Sequence, residues 1–191
     1  MKIKQDIPQT VLKACKKQKM HAMETVYHHL ARTMYNSAYR LLNHQQDAED
    51  AMHEGFIAAW KAFPRFDLNK DPEKWIKTMV INKSIDMLRK RKYSFEDLSE
   101  LSMHNHYDES QNSELQEIDI DIVKEAILKL SDGYRSVLSL FLTEGLDYDE
   151  IAEYMGIKPS SVRSHVSRGL VKLRSDLKKR HYENDTEIFS G

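Results

Sequence analysis

Apolar side chains recur at helical spacing along most of this chain, and the breaks in that recurrence divide it into segments. After a polar start with a short helix around Val11, residues Met23, Val26, Tyr27, Leu30, Met34, Ala38, Leu41 and Leu42 keep one helix face apolar over 20–42. Residues 43–46 interrupt the pattern. A second helix is predicted to open at Asp47 and to turn Ala48, Ala51, Met52, Gly55, Phe56, Ala59, Trp60 and Phe63 inward. A loop follows over 64–71. Asp71 then caps a third helix, with Pro72 at the first position, where a fixed φ and a missing N–H cost nothing. Its apolar surface is Trp75, Ile76, Met79, Val80, Ile85 and Leu88. Residues 94–116 are polar, acidic and aperiodic, which predicts an extended or disordered linker. The helical period resumes with Ile118, Ile122, Val123, Ala126, Ile127 and Leu130. It restarts at Ser131 through Val137, Leu138, Phe141 and Leu142, and breaks at Gly145. Residues 183–191 carry no pattern and are expected to be a frayed tail.

Residues 147–177 hold the most informative pattern. Tyr148, Ile151, Ala152 and Met155 fall on one helix face; Asp147 can cap the start, with Glu150 reaching back as a capping box. Gly156 stands where a helix end needs a left-handed residue. A second helix opens at Pro159 with Val162, Val166, Leu170, Leu173 and Leu177 on its apolar face. Its opposite face carries Ser160, Ser161, Arg163, Ser164, Ser167 and Arg168, then Lys172, Arg174, Lys178, Lys179 and Arg180. A helix, a glycine turn and a basic helix with short polar residues at its start make a helix-turn-helix. Small serines let such a helix enter a major groove, and arginine can fork to guanine or to phosphate.

Composition narrows the class. Apolar residues at 40% and charged residues at 31% describe a soluble globular protein, and only 6 Gly and 4 Pro favour an all-α fold. Cys15 is the single cysteine, which excludes a disulfide framework and a Cys-based zinc site. The first residues lack the apolar core of a secretory signal, and no run approaches a membrane span, so a cytoplasmic protein without membrane insertion is expected. The net charge of −1 conceals segregation. Residues 72–92 hold seven Lys/Arg and two acids, residues 94–121 hold nine acids and no Lys/Arg, and residues 158–181 hold eight Lys/Arg and one acid. Two basic elements separated by an acidic strap suit a nucleic-acid partner whose binding the strap restrains. In the third helix, Lys74, Lys77, Lys83 and the run Arg89-Lys90-Arg91-Lys92 exceed what capping a helix end requires. Trp75 is read either as core or as a stacking surface for an unpaired base.

With these residues assembled, the chain resembles the small, two-domain extracytoplasmic-function class of bacterial RNA polymerase sigma factors. The resemblance rests on D-A-E-D-A-M-H-E-G-F-I-A-A-W at 47–60, R-F-D at 65–67 and W-I-K-T-M-V-I-N-K-S-I-D-M-L-R at 75–89. It rests also on L-D-Y-D-E-I-A-E-Y-M-G-I at 146–157 and V-R-S-H-V-S-R-G at 162–169. It implies two small helical domains: residues 1–93 as sigma region 2, an acidic linker over 94–117, residues 118–182 as sigma region 4, and a tail over 183–191. It implies a promoter-specificity subunit with no catalytic residue, metal or cofactor of its own. Its partners would be the polymerase core, through the clamp coiled coil and the flap, promoter DNA, and in many relatives an anti-sigma protein. Asp47, Glu49, Asp50, His53, Glu54 and Ile57 would dock on polymerase. Leu68, Asn69 and Lys70 would line the loop that receives a base flipped from the −10 element. Trp75, Lys77, Asn82, Lys83, Asp86, Arg89 and Lys90 would complete −10 recognition and melting. Ser160, Ser161, Arg163, Ser164, Ser167 and Arg168 would read or position the −35 element, and the acidic strap would thread the RNA path. The chain departs from the family at several positions. The loop after Phe66 is slightly short, and Pro72 replaces a frequent Phe. His53 replaces Gln, Lys158 a capping Ser, and His165 a frequent Arg, a change that bears on base preference.

A polymerase-independent repressor or activator would explain the helix-turn-helix but leave the acidic 47–57 face and the basic third helix without work. A metal-dependent enzyme is suggested by nine histidines. However, His53-Glu54 is followed by Ile57 where a second ligand would stand, and the adjacent His28 and His29 cannot share a helix face. His104 and His106 lie in the acidic strap. An all-helical module with protein partners only is the third reading.

Overall fold

The computed structural model describes residues 7–91 and 120–188, the last nine of these as backbone only. The acidic strap, with His104 and His106, lies outside the described residues. The chain separates into two compact units, Met1–Arg91 and Lys92–Gly191.

The first unit contains α1 (Gln9–Lys16), α2 (Met20–Leu42), α3 (Gln45–Ala62) and α4 (Pro72–Lys90), with a 3₁₀ turn at Phe63–Arg65. Helices α2, α3 and α4 pack against one another, and α1 packs on α2 and on the 3₁₀ turn. In α2 the residues Val26, Leu30, Met34, Ala38 and Leu41 are buried at the expected spacing, whereas Tyr27 is half-buried. Full burial of each large apolar side chain contributes roughly 1.5–3 kcal/mol. Helix α2 ends at Asn43, whose φ of 47° is the left-handed region that Asn tolerates better than most residues.

Helix α3 opens two residues earlier than Asp47, a difference with a local cause. His44 is extended and its Nδ1 accepts the Asp47 N–H at 3.4 Å, so an imidazole serves as the cap and Asp47 falls inside the first turn. Small residues then let α4 approach closely. Ala48, Ala51 and Ala59 are fully buried. A Cβ on Gly55 would stand 2.6 Å from Val80 Cγ2 and 2.8 Å from Val80 Cα. Asp71 caps α4 as expected, its Oδ1 accepting from the N–H of Glu73 at 2.8 Å and of Lys74 at 3.3 Å. At the far end, the Arg91 guanidinium donates to the Leu42 carbonyl at 3.2 Å and pairs with the Asp47 carboxylate. One arginine of the basic run therefore ties α4 to the α2–α3 turn.

The second unit contains α5 (Ile120–Leu128), α6 (Asp132–Leu138) running into a π-helical turn at Ser139–Thr143, α7 (Tyr148–Met155) and α8 (Pro159–Ile188). Ala126, Ile127 and Leu130 are buried, but Ile122 is exposed, so the apolar face of α5 begins one turn later than expected. Arg135 is only 3% exposed, a burial that its charge did not foretell. It donates to the Leu130 carbonyl at 3.1 Å and pairs with Asp132, which satisfies a group otherwise expensive to bury. Helix α8 extends to Ile188, so helical backbone runs past Glu183 into the segment expected as a tail. No Pro or Gly interrupts it after Gly169, and a helix nucleated by packing propagates cheaply through Lys, Arg and Glu.

Candidate nucleic-acid and polymerase interfaces

On α3, residues Asp50, His53, Glu54 and Ile57 recur at i, i+3, i+4 and i+7, and all are exposed. Ile57 is 53% exposed, a large apolar side chain among acids and opposite the buried face. An apolar centre with a charged rim is the composition of a protein-binding surface. His53 is held in place: its Nε2 lies 3.0 Å from the Tyr27 hydroxyl, and its ring stacks on Tyr27 at 6.1 Å between centroids. Glu49 is half-buried, with its carboxylate 3.0 Å from the Gln45 amide. Asp47 is half-buried, and its carboxylate pairs with Arg91 and approaches His44 Nδ1 at 3.5 Å.

The segment joining α3 to α4 is built on aromatic rings. Phe63 and Phe66 are buried, with centroids 5.2 Å apart, and Trp75 meets them edge-on at 5.5 Å and tilted at 4.7 Å. Trp75 is thus half-buried support for the loop, with part of its surface left in solvent. The loop itself is braced by carboxylates. Asp67 Oδ1 accepts from the Asn69 backbone N–H at 3.0 Å and from its side-chain amide at 3.1 Å, and Asp71 caps the next helix. Leu68 is half-buried, while Asn69 and Lys70 are exposed.

Along α4, Trp75, Asn82, Asp86 and Arg89 follow one face from the loop toward the helix end, with Asn82, Asp86, Arg89 and Lys90 exposed and Lys77 half-buried. Asp86 pairs with Arg89 at 3.6 Å. Lys83 is joined to Glu54 of α3 at 3.4 Å. Residues expected to meet two different partners therefore meet each other first.

In the second unit the predicted capping box is complete. Asp147 Oδ1 accepts from the N–H of Asp149 at 2.9 Å and Glu150 at 2.8 Å, and Glu150 Oε2 accepts from the Asp147 N–H at 2.9 Å. Gly156 has φ 64°, which turns the chain into α8. There the Lys158 carbonyl accepts the first helical bonds from Ser161 and Val162 at 2.9 and 3.1 Å. Ser160, Arg163 and Ser164 are exposed, and Ser161, Ser167 and Arg168 are half-buried. The Arg163 guanidinium lies 5.4 Å from the centre of the Tyr148 ring, which stacks at 5.3 Å on Phe141. Tyr148, expected only as apolar surface, thus orients an arginine on the recognition helix.

His165 does not belong to that outer surface. It is 6% exposed, its Nδ1 is 2.6 Å from the Ser161 carbonyl, and its ring lies against Tyr134. The carbonyl fixes the proton on Nδ1. Its spacing of three residues from buried Val162 agrees with this inner position, and in this structure the histidine packs within the unit. Cys15 is likewise structural: it is fully buried, and desolvation pushes its thiol up, away from the reactive thiolate. Among the described residues, no group of three His, Cys, Asp or Glu is placed to hold a metal, and no helix is long and apolar enough to cross a membrane.

Comparison with known proteins agrees with this layout. The Sigma-70 region 2 family matches residues 26–93, and the Sigma-70 region 4 family matches residues 120–173. The ECF RNA polymerase sigma factor SigW of Bacillus subtilis is 30% identical over 159 residues, covering 76% of this chain and 83% of SigW. The structure of Cupriavidus metallidurans CnrH, solved with the cytosolic domain of CnrY, superposes with a TM-score of 0.54 at 20% identity, covering 91% of this chain and 99% of that one. The sigma factor RpoE of Bartonella quintana, solved with the anti-sigma factor NepR, gives a TM-score of 0.52 at 21% identity, covering 81% of this chain and 96% of that one. The chain belongs to the extracytoplasmic-function class of RNA polymerase sigma factors, the promoter-specificity subunits that bind polymerase core and promoter DNA.

Proposed function

We propose that residues 1–93 dock on the polymerase clamp and open the −10 element, that residues 118–182 read the −35 element beside the flap, and that the acidic 94–117 strap links them. The observation that carries this assignment is the division of surfaces on the first unit. An exposed stripe of two acids, His53 and Ile57 lies on α3, and a braced loop leads to the Asn82 face on α4. The first composition suits a protein and the second an unstacked strand. A flipped base needs stacking and a rigid receptor to offset its extraction. The bracing of the loop by Asp67 and Asp71, and the part of Trp75 left in solvent, support this reading. The chain does no chemistry of its own and works in the cytoplasm, where polymerase and promoter are. An anti-sigma protein is a further partner in this reading, supported by the complexes in which CnrH and RpoE were solved.

The test adds this protein to polymerase core stripped of its own sigma and sequences the runoff transcripts from fragmented genomic DNA. Start sites sharing −35 and −10 elements are expected; duplex binding without polymerase and no transcripts would favour the operator-binding alternative. Two substitutions separate the surfaces. Asp50→Arg is expected to weaken polymerase binding by on the order of 2 kcal/mol, and unchanged affinity in a core-binding titration removes α3 from the interface. Asn82→Ala is expected to leave core binding intact and to reduce promoter opening by about 1 kcal/mol, the worth of one hydrogen bond. Permanganate footprinting reads the opening, and equal losses of binding and opening would refute the strand contact.

A further inference from the structure

The short helix α1 precedes the span matched by Sigma-70 region 2, which begins at residue 26. It is nonetheless anchored in the first unit, with Leu12 and Cys15 buried at 2% and 0% exposure. Three polar side chains at or near this helix reach across to backbone carbonyls at the end of α3 and in the following loop. Gln18 Nε2 donates to the Trp60 carbonyl at 3.0 Å, Lys16 Nζ to the Phe66 carbonyl at 2.8 Å, and Gln9 Nε2 to the Leu68 carbonyl at 3.3 Å.

These contacts have a physical logic. The last carbonyls of a helix have no intrahelical partner, and a cation near that end complements its dipole. Of the three carbonyls reached, Trp60 lies in the last turn of α3, where it also accepts the Phe63 N–H, while Phe66 and Leu68 lie beyond the 3₁₀ turn, in backbone that no helical ladder pairs. Phe66 is consequently held from two sides, its ring by Phe63 and Trp75 and its carbonyl by an ammonium group. Leu68 is the first residue of the loop assigned to the flipped base, and Gln9 holds its carbonyl while Asp67 holds Asn69.

We propose that Lys16 and Gln9 are positioning residues that set the shape of the 68–71 loop, and with it the base preference at the −10 element. This rests on the reading of that loop as the −10 receptor. A charge-assisted bond to Phe66 keeps the loop base from relaxing, so a wrong base cannot be accommodated by adjustment of the backbone. Lys16 acts through the Phe66 carbonyl and not by touching a nucleotide.

The experiment uses the full-length protein with polymerase core and a promoter set in which the −35 element is constant and each −10 base is varied. Transcript yields, core affinity and the thermal midpoint are measured for Lys16→Met, Gln9→Ala, Lys16→Arg, the exposed control Lys13→Met and the loop variant Asn69→Ala. Lys16→Met is expected to reduce the yield ratio of best to worst −10 base by about tenfold. Core affinity and midpoint should stay near the parent, with Gln9→Ala acting in the same direction and more weakly. Lys16→Arg restores discrimination, and Lys13→Met matches the parent. A parental selectivity profile in Lys16→Met beside an altered one in Asn69→Ala overturns the positioning role and leaves the loop assignment standing. Parental profiles in both overturn the loop assignment and the proposal with it. A uniform loss of yield with a lowered midpoint, or an equal effect of Lys13→Met, also overturns it, since stability or bulk charge would then be the cause.

Discussion

Gly55→Ala will destabilise the first unit by on the order of 3 kcal/mol and lower its thermal midpoint by roughly 12 °C or more. Two effects of opposite sign compete at this position. Replacing glycine by alanine inside a helix stabilises by about 1 kcal/mol through reduced chain entropy and better propensity. Against this, the new methyl would overlap Val80 at Cγ2, 2.6 Å away, and at Cα, 2.8 Å away. A side-chain atom can rotate aside, whereas the Cα moves only with its helix. The α3–α4 contact must therefore separate, and the steric term wins. Val80→Ala added to Gly55→Ala removes the Cγ2 overlap but not the overlap with the backbone, so the double variant stays less stable than the parent. Thermal denaturation followed by circular dichroism measures this, and an unchanged or raised midpoint for Gly55→Ala would show that the helices separate without cost. Because the proposed docking stripe lies on α3 and the proposed strand contact Asn82 on α4, polymerase binding and promoter opening should fall together in this variant. That joint loss distinguishes it from Asp50→Arg, expected to act first on core binding, and from Asn82→Ala, expected to weaken opening with core binding intact.

Arg163→Ala is expected to cost roughly 1–3 kcal/mol of −35 recognition, the range of a bidentate arginine–guanine contact. The structure sharpens this expectation because Arg163 is already oriented over Tyr148, which rests on Phe141. An oriented guanidinium loses less freedom on binding than a solvated one, so part of the loss should be reproduced by removing the ring beneath it. Tyr148→Leu keeps the half-buried apolar surface and deletes the π face, and it should weaken −35 recognition in the same direction by a smaller amount. Transcription from promoters altered one −35 base at a time gives the measurement. Loss confined to one base position identifies base reading. A uniform loss across the set identifies phosphate contact, and no loss removes Arg163 from the interface.

Helix existence and type were legible because long amphipathic periods leave few alternatives. The Asp147–Glu150 box, the Asp71-Pro72 start and the Gly156 stop were legible because each is a local device acting within a few residues. Boundaries set by less usual groups were not. The His44 cap depends on one imidazole rotamer, which moved the start of α3, and the run of α8 to Ile188 depends on cooperative propagation rather than on pattern. The inward position of His165 is legible from its spacing to Val162, whereas its contacts with the Ser161 carbonyl and Tyr134 are visible only in the fold. Charge pattern likewise does not foretell the ion pairs of Asp47 with Arg91 and of Asp132 with Arg135. A charged residue declares that it needs water or a partner, not which of these the fold provides.

The sequence by itself determined that the chain is helical, that its two halves carry distinct basic surfaces, and that its motifs are those of a sigma factor. These properties are written in periods of three and four residues and in caps that close within one turn. The tertiary structure alone decided which charges are spent inside the molecule: Arg91 on Asp47, Lys83 on Glu54, and Lys16 on the Phe66 carbonyl. It alone decided that Tyr148 would carry Arg163 and that Trp75 would brace Phe63 and Phe66. Each of these pairs joins residues on different elements, and no local period encodes such a meeting. Their partners are selected by helix crossings, and those crossings depend on volumes as small as the missing Cβ of Gly55.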